Sequence, residues 1–233
     1  MSDWWERVTA STPAPDVRVT VLLAAIAVTC VVWAPVWRVT RHLVTVVHEG
    51  AHGVTALAVG RRLSGIRLHS DSSGLTVSRG RPTGVGMVLT LLAGYVGPSV
   101  LGLLLAVGVH GGHAIAALWL LLIALALLLL QIRNLYGLWV VLVSGVALFA
   151  VTWWLDRTAQ TGVAQLIAWF LLLAGPWSLL DLQRSRHAGV ARHSDPDQLA
   201  RITRVPGTVW WSLMVLVSLG CLAGGTRLLL LGV

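Results

Sequence analysis

Two histidines four residues apart bracket an acid and two small residues in the stretch Val46-Val47-His48-Glu49-Gly50-Ala51-His52. On a helix, positions four apart share a face, so His48 and His52 can hold one metal ion between them. Glu49 lies next to that face, where a carboxylate can take a proton from a metal-bound water. The pattern is short and recurs by accident in unrelated chains, but here its surroundings are apolar. A carboxylate inside a membrane span is costly, so an intramembrane Glu flanked by two His marks a functional site. The plainer reading is a polar cluster that ties neighbouring helices together.

A catalytic zinc takes three protein ligands and keeps a position open for water. The third must come from elsewhere in the chain, and acids are scarce: Asp3, Glu6, Asp16, Asp71, Asp156, Asp181, Asp195 and Asp197. Only Asp181 falls within an apolar run, Ser178-Leu179-Leu180-Asp181-Leu182, which makes it the leading candidate. Its alternative role is an interfacial carboxylate paired with Arg184. Asp195 is the second candidate, with helix capping as its own alternative. Asn134 can orient a substrate or a ligand, or equally end the helix before it. His42 is a partner for the site or an interfacial imidazole, and His110 and His113 flank a turn. His69, His187 and His193 fall in polar connections, where a solvated imidazole is ordinary. Zinc is the ion this ligand set usually takes.

The elements that must position these groups are membrane spans. The 233 residues are 56% hydrophobic and 11% charged, with mean hydropathy +0.81, too apolar for a soluble domain of this size. The pattern predicts an all-α polytopic membrane protein of about seven helices, forming one integral membrane domain. The expected spans are 19–37, 43–59, 85–109, 114–130, 136–155, 163–182 and 208–231, and the second carries the His-Glu-His cluster. Gly97-Pro98 is expected to kink or interrupt the third span. Residues 60–84 alternate, with Ile66 and Leu68 on one parity and Leu75 and Val77 on another, about the turn Ser70-Asp71-Ser72-Ser73-Gly74. That predicts a small β-hairpin-like insertion after the metal helix. Residues 183–207 form a basic connection, in which Asp195-Pro196-Asp197 opens a short amphipathic helix through Arg204.

All 17 basic residues are Arg, and most lie between apolar runs. They read as topology signals and lipid-headgroup contacts, and no compact basic domain exists to bind nucleic acid. Placing the loops 60–84 and 183–207 in the cytoplasm puts the amino terminus inside and the carboxyl terminus outside, with Arg38 and Arg41 outside. Cys30 and Cys221 sit singly in apolar spans, which leaves no disulfide framework and no Cys-rich zinc site.

His48-Glu49-Gly50-Ala51-His52, followed by a strand-like loop and a Gly/Pro-rich span, resembles the site-2 protease-like intramembrane zinc metallopeptidases. The chain is most similar to a compact branch of small bacterial membrane proteins, through Arg133-Asn134-Leu135 and Ser194-Asp195, over about residues 40–205. The resemblance implies a multi-pass protein of the bacterial inner membrane that uses Zn2+ to hydrolyse a peptide bond in a membrane-tethered protein. It also implies that residues 64–79 can pair with an unwound substrate segment by strand addition. The chain has no Asp-Gly segment of the type that supplies the third ligand in better-known members, so the choice between Asp181 and Asp195 stays open. Two other functions compete: a catalytically inactive metal-binding protein that regulates a membrane partner, and a small transporter or channel, since intramembrane His and Glu also mark ion pathways. The oligomeric state is open.

Overall fold

The structure is a computed structural model, and it describes residues 2–189 and 194–232. In chain order the elements are α1 (Ser2–Thr9), α2 (Val17–Val32), α3 (Ala34–Ala58), β1 (Arg62–Leu68), β2 (Gly74–Arg79), α4 (Val85–His110), α5 (Ala114–Leu129), α6 (Leu135–Trp154), α7 (Arg157–His187), α8 (Asp195–Thr203) and α9 (Gly207–Thr226). Arg227–Leu231 continue α9 as a wider π turn. The fold is all-α and polytopic, with one two-stranded antiparallel sheet. Helices occupy all seven expected apolar runs. Of these, α4, α6, α7 and the stretch 207–231 are each long and apolar enough to cross a membrane alone, whereas α5 has 16 residues. Pro98 lies inside α4 without ending it.

The first two expected spans are joined differently from the expectation. Pro35 follows the break at Trp33, and its ring would collide with the Val31 carbonyl if α2 ran on. A new helix starts instead, with proline in its first turn, where the missing N–H costs nothing. The two helices meet at 96°. The α2–α3 pair is therefore sharply bent, in the manner of a broken span or a re-entrant loop, where two straight spans were expected.

The amino-terminal segment packs at the start of α7. Thr12 N donates to Gly112 O in the α4–α5 turn at 2.9 Å, and Thr161 Oγ1, near the start of α7, lies 3.2 Å from Thr12 Oγ1. Gln165 Nε2 donates to Thr20 Oγ1 at 2.9 Å, so α2 runs parallel to α7. The hairpin, the α5–α6 connection and α8 lie at the other end of α7. The amino-terminal segment is thus at the opposite end of the bundle from both Arg-rich connections. Arg41, expected away from them, lines a cavity at their end.

Helix α7 is the axis of the core, and its Ala168, Leu171, Leu172 and Ala174 are buried among α2, α4 and α9. Small residues bring backbones together here: a Cβ on Gly102 of α4 would fall 2.8 Å from Leu172 N. At the hairpin end, Leu91, Leu179, Leu199 and Met214 form a smaller cluster that seats α8.

The hairpin runs in the register Leu68↔Gly74 to Arg62↔Arg79, with a bulge between Leu63 and Gly65. Its other edge is taken by the α5–α6 connection. Ile66 N donates to Gln131 O at 2.8 Å and Arg133 N to Ile66 O at 2.9 Å, a parallel bridge between Ile66 and Ile132. Asn134 completes this edge, accepting from Leu68 N at 3.2 Å and donating to Leu68 O at 2.6 Å. The Asn134 side chain, expected to orient a substrate or to end α5, pairs with the Leu68 peptide unit as a neighbouring strand would. Its residue caps the start of α6.

Candidate metal centre

Helix α3 carries His48, Glu49 and His52 on one turn, and α4 lies against that turn through its small residues. A Cβ on Gly94 would collide with both imidazoles, so only glycine admits the pair at this crossing. His52 Nδ1 lies 2.6 Å from the Thr90 carbonyl oxygen. A carbonyl can only accept, so Nδ1 carries a proton, and in the neutral ring that leaves the Nε2 lone pair for a metal. Tyr95 packs edge-on against His48, with ring centroids 4.7 Å apart, and fixes the second ring.

The third group arrives from the first residue of α8. Asp195 Oδ2 lies 3.3 Å from His48 Nε2 and 3.3 Å from His52 Nε2, and the two Nε2 atoms are 3.0 Å apart. Among the described residues these are the one group of His, Cys, Asp and Glu side chains with metal-ligand spacing. Burial alone would push the Asp195 carboxyl up. His52 and then His48, when protonated, outweigh it and hold the group below the usual carboxylate range.

This trio fits a zinc ion. Ligand bonds of about 2.0–2.1 Å in a tetrahedron set neighbouring donor atoms roughly 3.3 Å apart, close to the spacings found here. Asp195 Oδ2 is also buried without a hydrogen-bond partner. A buried acceptor facing two imidazole nitrogens is satisfied by a cation at the point where all three converge.

Asp181, the leading sequence candidate for third ligand, is engaged elsewhere. Its Oδ2 accepts from Trp37 Nε1 at 2.8 Å, and its Oδ1 accepts from Arg184 Nη1 at 3.2 Å. The interfacial pairing weighed as its alternative is the one the structure has, with the Trp37 indole added. It lines the same cavity of about 730 Å³ as the metal trio, without joining the trio.

Glu49 is 4% exposed and faces the hairpin. Its Oε2 accepts from Thr76 Oγ1 at 2.6 Å, and the same hydroxyl lies 3.0 Å from Glu49 O. A Cβ on Gly74 would collide with the Glu49 carboxylate, so β2 closes directly over it. A second tie, from Thr45 Oγ1 to Ser72 O at 2.8 Å, holds the turn to α3. Thr76, Gly94, Thr90 and Tyr95 carry no motif that singles them out in the sequence. Gly94 alone had a signal, as one of several glycines in its span.

The other histidines stay outside this group. His42 pairs with Tyr136 Oη at 3.3 Å, His69 with Ser73 Oγ at 3.2 Å, and His110 and His113 lie at the far end of the bundle. His187 ends α7, and His193 lies outside the described residues.

A family model described as peptidase M50B-like matches residues 21–225. The chain belongs to the peptidase M50B-like family, the site-2 protease family. The match takes in the trio, the hairpin, α3 to α8 and most of α2 and α9. Membership implies a membrane metallopeptidase, and the M50B-like peptidases are metal-dependent. Comparison with curated proteins and with solved structures finds no match.

Proposed function

We propose that this M50B-like chain is an intramembrane zinc metallopeptidase that hydrolyses a peptide bond of a membrane-tethered protein. One observation carries the reading: His48 Nε2, His52 Nε2 and Asp195 Oδ2 converge within 3.3 Å of one another, in a cavity that also holds Glu49. His48, His52 and Asp195 would hold the zinc. When bound, zinc supplies an activated water at neutral pH and polarises a carbonyl.

The chain's own residues supply the rest. Glu49 is the group placed to take the proton of the attacking water and return it to the leaving amine. Thr76 and the backbone of Gly74 hold its carboxylate against the cavity wall. Strand β2 has β1 on one side and no strand on the other among the described residues, so a substrate segment unwound from its own helix can add there. Such a segment would run beside Gly74 and Thr76, next to the base.

The hairpin end faces the cytoplasm in this reading of a bacterial inner-membrane protein. The five arginines of 61–81, Arg133, and the arginines at 184, 186, 201 and 204 lie there, while Arg18, Arg157 and Arg227 lie at the other end. Both termini are then outside.

Glu49→Gln tests the proposal. The variant should hold as much zinc as the parent. New protein amino termini found in membranes containing the parent should be absent from membranes containing the variant, a loss of at least about 100-fold for a missing general base. Equal production of those termini by both proteins would sink the peptidase. No new termini from a zinc-loaded parent would favour the regulatory metal-binding protein.

A further inference from the structure

Asp195 reaches the site from a short helix that is covalently distant from the α3 ligands and separated from α7 by a connection that turns at Gly189, where φ is +73°. Something must hold that helix start in place, because a ligand displaced by a fraction of an ångström loses its share of a metal site. The structure supplies a clasp two residues away. Arg186 Nη2, in the last turn of α7, donates to Asp197 Oδ1 at 2.7 Å. The other oxygen, Asp197 Oδ2, accepts from Ser194 Oγ at 2.6 Å, and Asp197 N donates to Ser194 O at 2.9 Å. Both carboxylate oxygens of Asp197 are therefore engaged, one towards α7 and one towards the residue that precedes Asp195.

The pair is enclosed as well as short. A Cβ on Gly207, at the start of α9, would lie 3.0 Å from Arg186 Nη2 and 3.1 Å from Pro196 O. The ends of α7, α8 and α9 thus close around one ion pair, and the side chains of Arg186 and Asp197 are only 18% and 22% exposed. A charge-assisted bond of this kind has direction as well as strength, which suits it to fixing a helix start.

We propose that the Arg186–Asp197 pair, with Ser194, is a positioning device that sets Asp195 against His48 and His52, so that metal affinity depends on residues that never touch the metal. This rests on the reading of Asp195 as the third ligand. Breaking the pair leaves α8 seated through Leu199 but frees its first turn. Asp195 then no longer holds its place against the two imidazoles.

The test uses the full chain purified in detergent and Co2+ as the probe, with affinity read by chelator competition and coordination read from the visible spectrum. Arg186→Ala and Asp197→Ala should each weaken Co2+ binding about 10- to 100-fold and shift the spectrum of the loaded protein towards that of Asp195→Ala. Arg186→Lys, which keeps a cation against Asp197 Oδ1 and leaves the Ser194 bond intact, should keep most of the affinity and the parental spectrum. If the single variants melt at lower temperature yet bind Co2+ with the parental affinity and spectrum while Asp195→Ala binds weakly, the pair is merely structural and the proposal is overturned. If an alanine variant does not fold, Arg186→Gln decides, since it fills similar space without the charge: binding weakened towards that of Asp195→Ala supports the clasp, and parental binding overturns it. If Asp195→Ala itself binds as the parent does, the three-ligand site falls, and the clasp with it.

Discussion

The two ends of the helix bundle both bury polar side chains, but they use them in opposite ways. At the far end, neutral side chains meet: the Gln165 amide N–H donates to the Thr20 hydroxyl, and the Thr161 and Thr12 hydroxyls meet each other, with Gln165 Oε1 left without a partner. These contacts tie α2 and the amino-terminal segment to α7, as interhelical hydrogen bonds do in lipid. At the hairpin end, a buried carboxylate oxygen faces two imidazole nitrogens at 3.3 Å. Neutral hydrogen bonds between helices hold a fold together, whereas a carboxylate set against two imidazole nitrogens at about 3.3 Å has the spacing of metal ligands.

The largest effect expected from that contrast is at the trio. Asp195→Ala and His52→Ala should each lose bound zinc, with affinity down by more than about 100-fold. Metal analysis of the purified variants beside the parent checks this, and stoichiometric zinc in either would erase the distinction between the ends. Gly94→Ala comes next. Its added methyl would press on both imidazoles, so zinc affinity should fall about 10- to 100-fold at unchanged helix content, measured by chelator competition and circular dichroism. Gly145→Ala is the matched control, because nothing lies within 4 Å of a Cβ there, and its affinity should equal the parent's. The smallest effect is at the far end. Gln165→Leu should lower stability by about 1 kcal/mol in a thermal melt and leave zinc affinity untouched. A drop in affinity there would mean that the two ends are coupled.

Legibility followed the range of the forces. The His48–His52 spacing is a helix-face pattern complete within five residues, and the strands follow a period-two pattern about a local turn, so both could be read directly. Hydropathy found the apolar runs, but it averaged across Trp33 and Pro35, whose local break bends α2 against α3 by 96°. The third site residue was harder. The cost of burying a carboxylate says only that Asp181 needs partners, and Trp37 and Arg184 meet that need as well as a metal would. Asp195 is brought in by the seating of Leu199 among Leu91, Leu179 and Met214, contacts from three other helices that leave no trace in the sequence around residue 195.

The strand mimicry of Asn134 also bears on how these molecules behave when crowded in a bilayer. A hairpin with both edges bare invites its neighbours to zip onto it, the first step of aggregation. Here the outer edge of β1 is permanently occupied by residues 131–134 of its own chain, down to a side-chain amide standing in for a peptide unit. Two copies that collide cannot join through that edge. Asn134→Leu would strip the last two bonds from it, and the protein would become stickier towards itself before it became less stable.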